Sequence, residues 1–387
     1  MSLNIIHLFK YYWPDNGGGI AAGMDMAIHA FKEWSKIGKH REKDNQEIIV
    51  CWQHPGKNAS KEKYNDVQVY RCKSLFEFAS TQFSVQFMRT VNRKTKKSDV
   101  VFYHFPYPLV DLGILFGKIH GKLVVVWHCD FDTQKGKLIT SLYTPLVKHT
   151  LKKADKIVVG AKGTIHGSGA LQKFRKKCVV IPYAVSDEIV HEGKEYFNCK
   201  EENQQEKIHI LFLGRFVWYK GIDLLIKAFS KLDSDRYELT LVGGGSLLDD
   251  MKQLADSLNL KNLAFIGSVS EEEKRKWIKW SDFLVLPSIS KAESFAIVQI
   301  EAMAFGKPVI NTWIPSGVPD VSLDGKTGIT IEPGDVNALI SAMRKLGEDA
   351  EIREKYGKNA IKLVEERYTM ARLTERYVKL FDKLEEK

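Results

Sequence analysis

At 387 residues the chain is longer than one hydrophobic core usually serves, and a prior of ~100–200 residues per domain leads us to expect two. With 44% hydrophobic and 27% charged residues it reads as a folded globular protein, which excludes a disordered or bilayer-spanning chain; runs such as Leu123 to Trp127 and Ile208 to Leu213 fall far short of the ~18–20 apolar residues a spanning helix needs. The net charge of +10 is uneven: residues 1–190 hold 29 Lys and Arg against 16 Asp and Glu, and residues 191–387 hold 29 against 32, so the first half calls for an anionic partner.

In chain order, short apolar segments alternate with amphipathic ones. Asn4–Phe9 is expected as a strand and Ala21–Ile37 as a helix. Glu47–Trp52, Val100–His104, Lys122–His128 and Lys156–Val159 follow as strands, with Val110–His120 and Leu142–Lys153 as helices between them. A polar stretch from Glu192 to Lys207 reads as a linker. The pattern then restarts with strands Ile208–Leu213, Tyr237–Val242, Leu263–Ile266 and Phe283–Leu286, and helices Ile222–Leu232, Ser246–Leu258 and Glu271–Trp280. A last helix, Thr369–Glu385, closes the chain. Repeated strand–helix units of this kind predict two α/β domains with parallel sheets and a ligand cleft between them. The N-terminus lacks the charged start and cleavage site of a signal peptide, and the cysteines at 51, 72, 129, 178 and 199 form no CxxC pair. The expected compartment is a reducing cytoplasm.

Four places could carry chemistry. Pro14-Asp15-Asn16-Gly17-Gly18-Gly19 lies between the first strand and the first helix, where glycines allow backbone to approach phosphate or sugar; a structural turn is the plainer alternative. Gly17, Gly19 and Ala22 satisfy GxGxxA, but the first strand ends at Phe9, well short of Gly17, and the second ends in Trp52-Gln53-His54 without a ribose-binding acid, which argues against a nicotinamide cofactor. Val126-Trp127-His128-Cys129-Asp130-Phe131-Asp132 follows another strand; His128 could contact a transferred sugar or be a satisfied structural histidine. Asp130 and Asp132 imitate a metal-binding pair, but with no third ligand in register no metal is expected.

In the second half, Gly214-Arg215-Phe216-Val217-Trp218-Tyr219-Lys220-Gly221 places two cations at a strand's carboxyl end, where they could neutralise a diphosphate leaving group. Glu293 and Glu301, with seven residues between them, flank a helix expected from about Phe295 to Phe305 and capped by Ser294, whose N-terminus favours an anion.

Taken together with Ile181-Pro182-Tyr183-Ala184-Val185, Leu241-Val242-Gly243-Gly244-Gly245, Gly317-Val318-Pro319-Asp320 and Asp324-Gly325-Lys326-Thr327-Gly328, these motifs resemble the bacterial retaining glycosyltransferases of the GT-B fold known as group 1, or family 4. The resemblance covers nearly the whole chain. It implies two Rossmann-like domains whose parallel sheets face a central cleft: residues 1–190 with about 370–387 on the acceptor side, a linker at 191–207, and a donor domain at 208–369. It implies that Arg215 and Lys220 hold the donor diphosphate, that Gly18 and Gly19 face the phosphate or sugar, and that Glu301 binds the ribose. Glu293 with Ser294, Phe295 and Ala296 would bind the hexose, with His128 beside it and His128 and Glu293 as the catalytic pair. It further implies a hexose moved from GDP-mannose or a UDP-hexose to a saccharide or lipid-linked saccharide acceptor in lipopolysaccharide, capsule or exopolysaccharide synthesis, without a cofactor or metal. Retention would follow from same-face attack through an ion-pair-like transition state. Two positions depart from the family pattern: Ala296 stands where glycine is usual, and Tyr183-Ala184 where Asn-Gly is usual.

Two other readings are a nucleotide-sugar 2-epimerase of the same fold and a basic nucleic-acid-binding protein; the paired donor motifs in the less basic half favour the transferase. At helical spacing, Phe83, Phe87 and Val91 share one stripe opposite Arg89, Arg93, Lys96 and Lys97, which suits a helix lying on the anionic inner face of the cytoplasmic membrane or, equally, one packed on its own sheet.

Overall fold

The structure, a computed structural model, describes residues 3–14, 18–37, 44–78, 81–130, 137–199 and 207–385. It divides into two compact units, residues 1–183 with 371–387, and residues 184–370.

The first unit runs β1 (Asn4–Leu8), α1 (Gly19–Ile37), β2 (Asn45–Cys51), β3 (Ser60–Tyr64), β4 (Val67–Cys72), β5 (Phe76–Phe78), β6 (Thr81–Phe83), α2 (Val85–Thr95), β7 (Val100–Phe105), α3 (Pro108–Leu115), β8 (Lys122–Trp127), α4 (Lys137–Lys153), β9 (Lys156–Val159), α5 (Lys162–Gly167) and β10 (Cys178–Val180). Its eight-stranded sheet has the order β10-β9-β8-β7-β1-β2-β4-β3 and is parallel except at the edge, where β3 pairs antiparallel with β4. All six residues of β7 are buried, as expected of a strand covered on both faces. β5 and β6 form a separate antiparallel hairpin.

The second unit runs α6 (Asp187–Cys199), β11 (Ile208–Leu213), α7 (Ile222–Phe229), β12 (Tyr237–Val242), α8 (Leu248–Ser257), β13 (Leu263–Gly267), α9 (Glu271–Trp280), β14 (Phe283–Val285), α10 (Ile297–Ala304), β15 (Val309–Thr312), α11 (Val318–Val321), β16 (Gly328–Ile331), α12 (Val336–Glu348) and α13 (Ala350–Arg367). Its sheet is wholly parallel, in the order β13-β12-β11-β14-β15-β16. The last helix, α14 (Met370–Glu385), belongs to the first unit: Phe381 packs against Phe31, Trp34 and Phe102, and Trp34 Nε1 donates to Asp382 Oδ1 over 2.8 Å.

Two expectations need correction, and one open alternative is decided. The segment read as linker is helical as far as Cys199: Tyr196 packs edge-on to Phe305 at 6.1 Å, the Phe197 ring lies so close to Gly306 that a Cβ there would meet it at 2.3 Å, and Glu192 meets Arg275 at 3.0 Å and Lys279 at 2.6 Å. The stripe on α2 faces inward. Phe87 and Val91 are fully buried and Phe83 packs on the same core, while Ser84 caps the helix by accepting from the Phe87 N–H at 3.0 Å. The helix between Glu293 and Glu301 starts at Ile297, not Phe295, and Ser294 does not cap it; Ala296 takes that place with φ +59°. No helix among the described residues is long and apolar enough to cross a membrane.

Candidate functional site

In the second unit the strand order reverses between β11 and β14, so the loops leaving the carboxyl ends of these neighbours open onto one point, where doubly wound sheets bind ligands. The loop after β11 is held close to its surroundings. Gly214 donates to the Val242 carbonyl at 3.0 Å and Phe216 to that of Gly244 at 2.8 Å. A Cβ on Gly243 would stand 1.9 Å from the Gly214 oxygen, so no other residue fits there. After a short 3₁₀ turn, Trp218–Lys220, the chain passes through Gly221 at φ +64°, where a Cβ would meet the Pro287 oxygen at 2.3 Å. The Ile289 N–H completes the junction by donating to the Tyr219 carbonyl at 2.8 Å.

This junction carries Lys220 inward. Its ammonium lies against Glu293 Oε2, and the two residues are only 7% and 8% exposed. Ser288 Oγ donates to the same carboxylate oxygen at 3.4 Å. Arg215 is exposed instead, with a guanidinium nitrogen 3.2 Å from the Tyr219 hydroxyl. One side of the point thus holds a buried, compensated charge pair and the other a solvated cation able to meet an incoming anion.

Beyond Glu293, Ser294 accepts from the Gly317 N–H at 2.7 Å through its carbonyl, and Phe295 is buried edge-on to Tyr368 at 6.2 Å, so its side chain serves the core. A buried amide pair fixes α10: Gln299 Nε2 donates to the carbonyls of Phe295 and Val318 at 3.1 and 3.3 Å, and Asn311 Nδ2 donates to Gln299 Oε1 at 2.8 Å. Glu301, within α10, accepts from Lys274 Nζ of α9 at 2.8 Å. Burial pushes the Glu301 carboxyl above its ordinary range, with Lys274 opposing the rise. Burial alone would lower Lys274, but Glu301 and Glu271 hold its ammonium above the usual lysine range. Glu301 is therefore an acceptor already matched to a cation.

In the first unit the order reverses between β1 and β7. Gly18, at φ +102°, and Gly19, the first residue of α1, are exposed at the carboxyl end of β1, beside a helix N-terminus. Gly17 and Asp132 lie outside the described residues, and Asp130 accepts from Trp127 Nε1 at 3.2 Å. Among the described residues no three His, Cys, Asp or Glu side chains gather as a metal site. His128 is 4% exposed and both its nitrogens are engaged: Nε2 lies 2.9 Å from His104 Nδ1, and Nδ1 lies 2.5 Å from the Tyr183 hydroxyl. Burial lowers its pKa to about 3, so the ring is neutral at physiological pH.

Residues 194–363 match the family model described as glycosyl transferases group 1. Over 383 residues the chain is 29% identical to the O-antigen chain mannosyltransferase C of Escherichia coli, covering 99% of each. It is 28% identical over 361 residues to the D-rhamnosyltransferase WbpZ of Pseudomonas aeruginosa, covering 92% of this chain and 90% of that one. Its fold matches that of the sucrose-phosphate synthase from Thermosynechococcus elongatus with a TM-score of 0.77 over 99% of both chains, at 18% identity. The chain is a glycosyltransferase of the GT-B fold.

Within the transferase, the group 1 match spans Arg215, Lys220, Glu293 and Glu301, and the structure brings Lys220 to Glu293 within one unit. Sequence reasoning missed their direct pairing, along with Ser288, Lys274 and the Gln299–Asn311 pair. Lys274 carried one signal, its place on the predicted helix from Glu271, but nothing in the spacing pointed it toward Glu301. In the other unit it missed His104, buried mid-strand in β7, and the contact of Tyr183 with His128.

Proposed function

We propose that the transferase moves a hexose, with retention, from a nucleotide-sugar, GDP-mannose ahead of UDP-hexoses, to a saccharide or lipid-linked saccharide in cell-surface polysaccharide synthesis. The observation that carries this reading is the Lys220–Glu293 pair beside exposed Arg215 at the switch point of the second unit. A sugar diphosphate has an anionic half and a hydroxyl-rich half. Arg215 and Lys220 would take the first, stabilising the diphosphate as it departs. Glu293 would exchange its hold on Lys220 for hexose hydroxyls, while the backbone of Ser294, Phe295 and Ala296 contacts the sugar and Glu301 the ribose. Gly18 and Gly19 would approach the phosphate or sugar, and His128 would stand beside the hexose. Departure and same-face attack then proceed through an ion-pair-like transition state, without a metal or cofactor. The names of the two relatives, an O-antigen chain mannosyltransferase and a D-rhamnosyltransferase, support a mannose-like sugar and a surface polysaccharide.

Peripheral contact with the anionic inner face of the cytoplasmic membrane is part of the proposal. Leu75, Phe76, Phe78, Val85, Leu115, Phe116 and Leu142 are all exposed in the first unit, on the β5–β6 hairpin and on α2, α3 and α4 or their ends, alongside exposed Lys73, Arg89, Arg93, Lys96, Lys97 and Lys118. Aromatic side chains set among cations suit an anionic lipid surface.

The test is turnover against GDP-, UDP- and ADP-sugars with and without EDTA. We expect GDP-mannose to be used, EDTA to leave the rate unchanged, and Arg215→Ala and Lys220→Ala each to lower kcat by roughly 100–1,000-fold, as loss of one preorganised donor does elsewhere. Wild-type rates in both variants would refute the assignment. Calorimetry with the bare nucleoside diphosphate separates the carboxylates, since Glu301→Ala should weaken that binding and Glu293→Ala should spare it while slowing transfer.

A further inference from the structure

A cavity of about 360 Å³ opens in the first unit between α4 and the chain leading into β10. α4 ends at Lys153, just before β9 starts at Lys156, and a 3₁₀ turn, Gln172–Lys177, runs directly into β10. The cavity therefore lies toward the amino ends of these parallel strands, whereas Gly18, Gly19 and His128 stand at carboxyl ends, on the opposite edge of the sheet. Lys148, His149 and Lys152 line it from α4 and Lys173 from the turn, beside the apolar Pro145 and Phe174; among the described residues no acid lines it.

Exposed lysines elsewhere are matched within their own helices: Lys36 pairs with Glu33, Lys227 with Asp223, Lys358 with Glu354 and Lys379 with Glu375. α4 has four lysines and no acid. From residue 137 to 178, ten Lys and Arg stand against Asp155 alone, and its carboxylate already accepts from the Leu123 N–H at 2.7 Å. Cations gathered around one cavity without an acid call for an anion from outside. The negative end of α4 would oppose it, but Lys177 Nζ donates to the carbonyls of Leu151, Lys152 and Ala154 at 3.3, 2.7 and 2.6 Å and offsets that end. His149 adds an unmatched group, since its Nε2 is buried without a hydrogen-bond partner among the described residues. Phosphate oxygens accept and a phosphate O–H donates, so a phosphate suits that nitrogen with or without its proton.

We propose that this cavity is a phosphate-binding site separate from the donor site. Lys148, Lys152 and Lys173 hold the phosphate through charge-assisted hydrogen bonds, with His149 at its border. Pro145 and Phe174 take the apolar part of the molecule that carries it. Two carriers share this chemistry, an anionic phospholipid and a soluble phosphate ester. The site stands without the donor assignment; only the lipid carrier rests on the reading that the first unit meets a membrane.

The experiment follows the His149 ring in ¹H–¹⁵N spectra of the full chain labelled at histidine, assigned through His149→Gln, while inorganic phosphate or glycerol phosphate replaces chloride at constant ionic strength. We expect a saturable shift at His149. Lys148→Gln with Lys152→Gln and Lys173→Gln should weaken it about 10–100-fold. Gly169→Glu should abolish it, and a Cβ at this rim position meets nothing within 4 Å, so the acid enters without displacing its neighbours. Binding to phosphatidylcholine vesicles with and without phosphatidylglycerol then names the carrier. For a lipid, the cavity triple variant loses anionic-vesicle binding well beyond the loss in Lys153→Gln with Lys162→Gln and Lys176→Gln, which removes as many exposed charges away from the cavity. Equal losses, with the His149 shift kept in the wild type, overturn the lipid and assign the soluble ester. No saturable shift with either phosphate, or a shift that survives Gly169→Glu and the triple variant, would overturn the site. Absence of binding to every vesicle with the His149 response intact would defeat the membrane reading alone.

Discussion

The Lys220 ammonium lies against the Glu293 carboxylate beneath the switch point of the second unit, with under a tenth of either residue exposed. Removing one partner strands the other in a place it cannot easily be solvated, which costs about 3–5 kcal/mol in comparable pairs. Lys220→Met should therefore destabilise the chain by about that much, and adding Glu293→Gln should recover most of it. Activity should not return in the double variant, because both groups act on the donor. Denaturant midpoints together with turnover for the four members of the cycle test this, and recovery of both would mean that the pair is purely structural.

Ala296 holds a backbone conformation that costs an L-residue with a Cβ about 1–2 kcal/mol. Ala296→Gly should relieve it and raise the unfolding temperature by ~2–4 °C for a unit of this size, less the entropy glycine adds to the unfolded chain. Because the segment contributes backbone to the proposed hexose contact, the donor KM should not worsen. A lower melting temperature would show that tertiary contacts accommodate the alanine without strain.

Acidification should weaken the first unit. Burial lowers His7 and His128 to about 3, and burial with the neighbouring rings takes His104 well below its ordinary value. Near pH 5 the unfolded chain binds three protons that the folded one refuses, so stability is lost as pH falls below about 6.5. Two carboxyls work the other way: burial also raises Asp25, although Tyr12 and Trp13 oppose the rise, and Asp111 shifts in the same sense. Burial raises it to about 6 despite hydroxyl donors from Thr150, Tyr143 and Tyr103, so its folded form gains a proton before the unfolded one. Three protons against at most two leaves a net loss of at least ~1 kcal/mol per pH unit near pH 5. Denaturant midpoints between pH 5 and 6.5 read the slope directly, and a flat or inverted profile would mean that at least one ring is charged when folded.

On membranes, the chain should cosediment with anionic vesicles, be released by salt, and ignore neutral ones. Each cation near such a surface adds ~1 kcal/mol, and Phe78→Ser with Phe116→Ser should weaken binding further without changing the salt response. Equal recovery from both vesicle types would reject the contact.

Much of the framework was legible because parallel strands covered on both faces need continuous Val, Ile and Leu runs, as in β7, β8 and β11. The edge pair β3–β4 was not, since Ser60–Tyr64 alternates partly exposed and exposed residues without an apolar face. α6 hid for a different reason: its packing residues, Gly193, Tyr196 and Phe197, stand among charged ones such as Glu192, which pairs with Arg275 and Lys279. In the site, the chemical types of Arg215, Lys220, Glu293 and Glu301 were readable as motif residues, but their partners were not: Lys220 reaches Glu293, and Lys274 reaches Glu301, only after strands and helices distant in sequence are set side by side. Ala296 gave the one local hint of backbone strain, and it moved the start of α10 by two residues.

The first unit is discontinuous: its sheet is finished by residue 183, yet Phe31, Trp34 and Phe102 wait for Phe381 on α14. During synthesis at ~5–20 residues per second, an aromatic seam on the nascent domain stays uncovered for roughly 10–40 s while the whole second unit emerges. Folding of the early domain is thereby coupled to completion of the late one, and a ribosome stalled in the second unit would display a sticky, unfinished surface that chaperones and proteases can read.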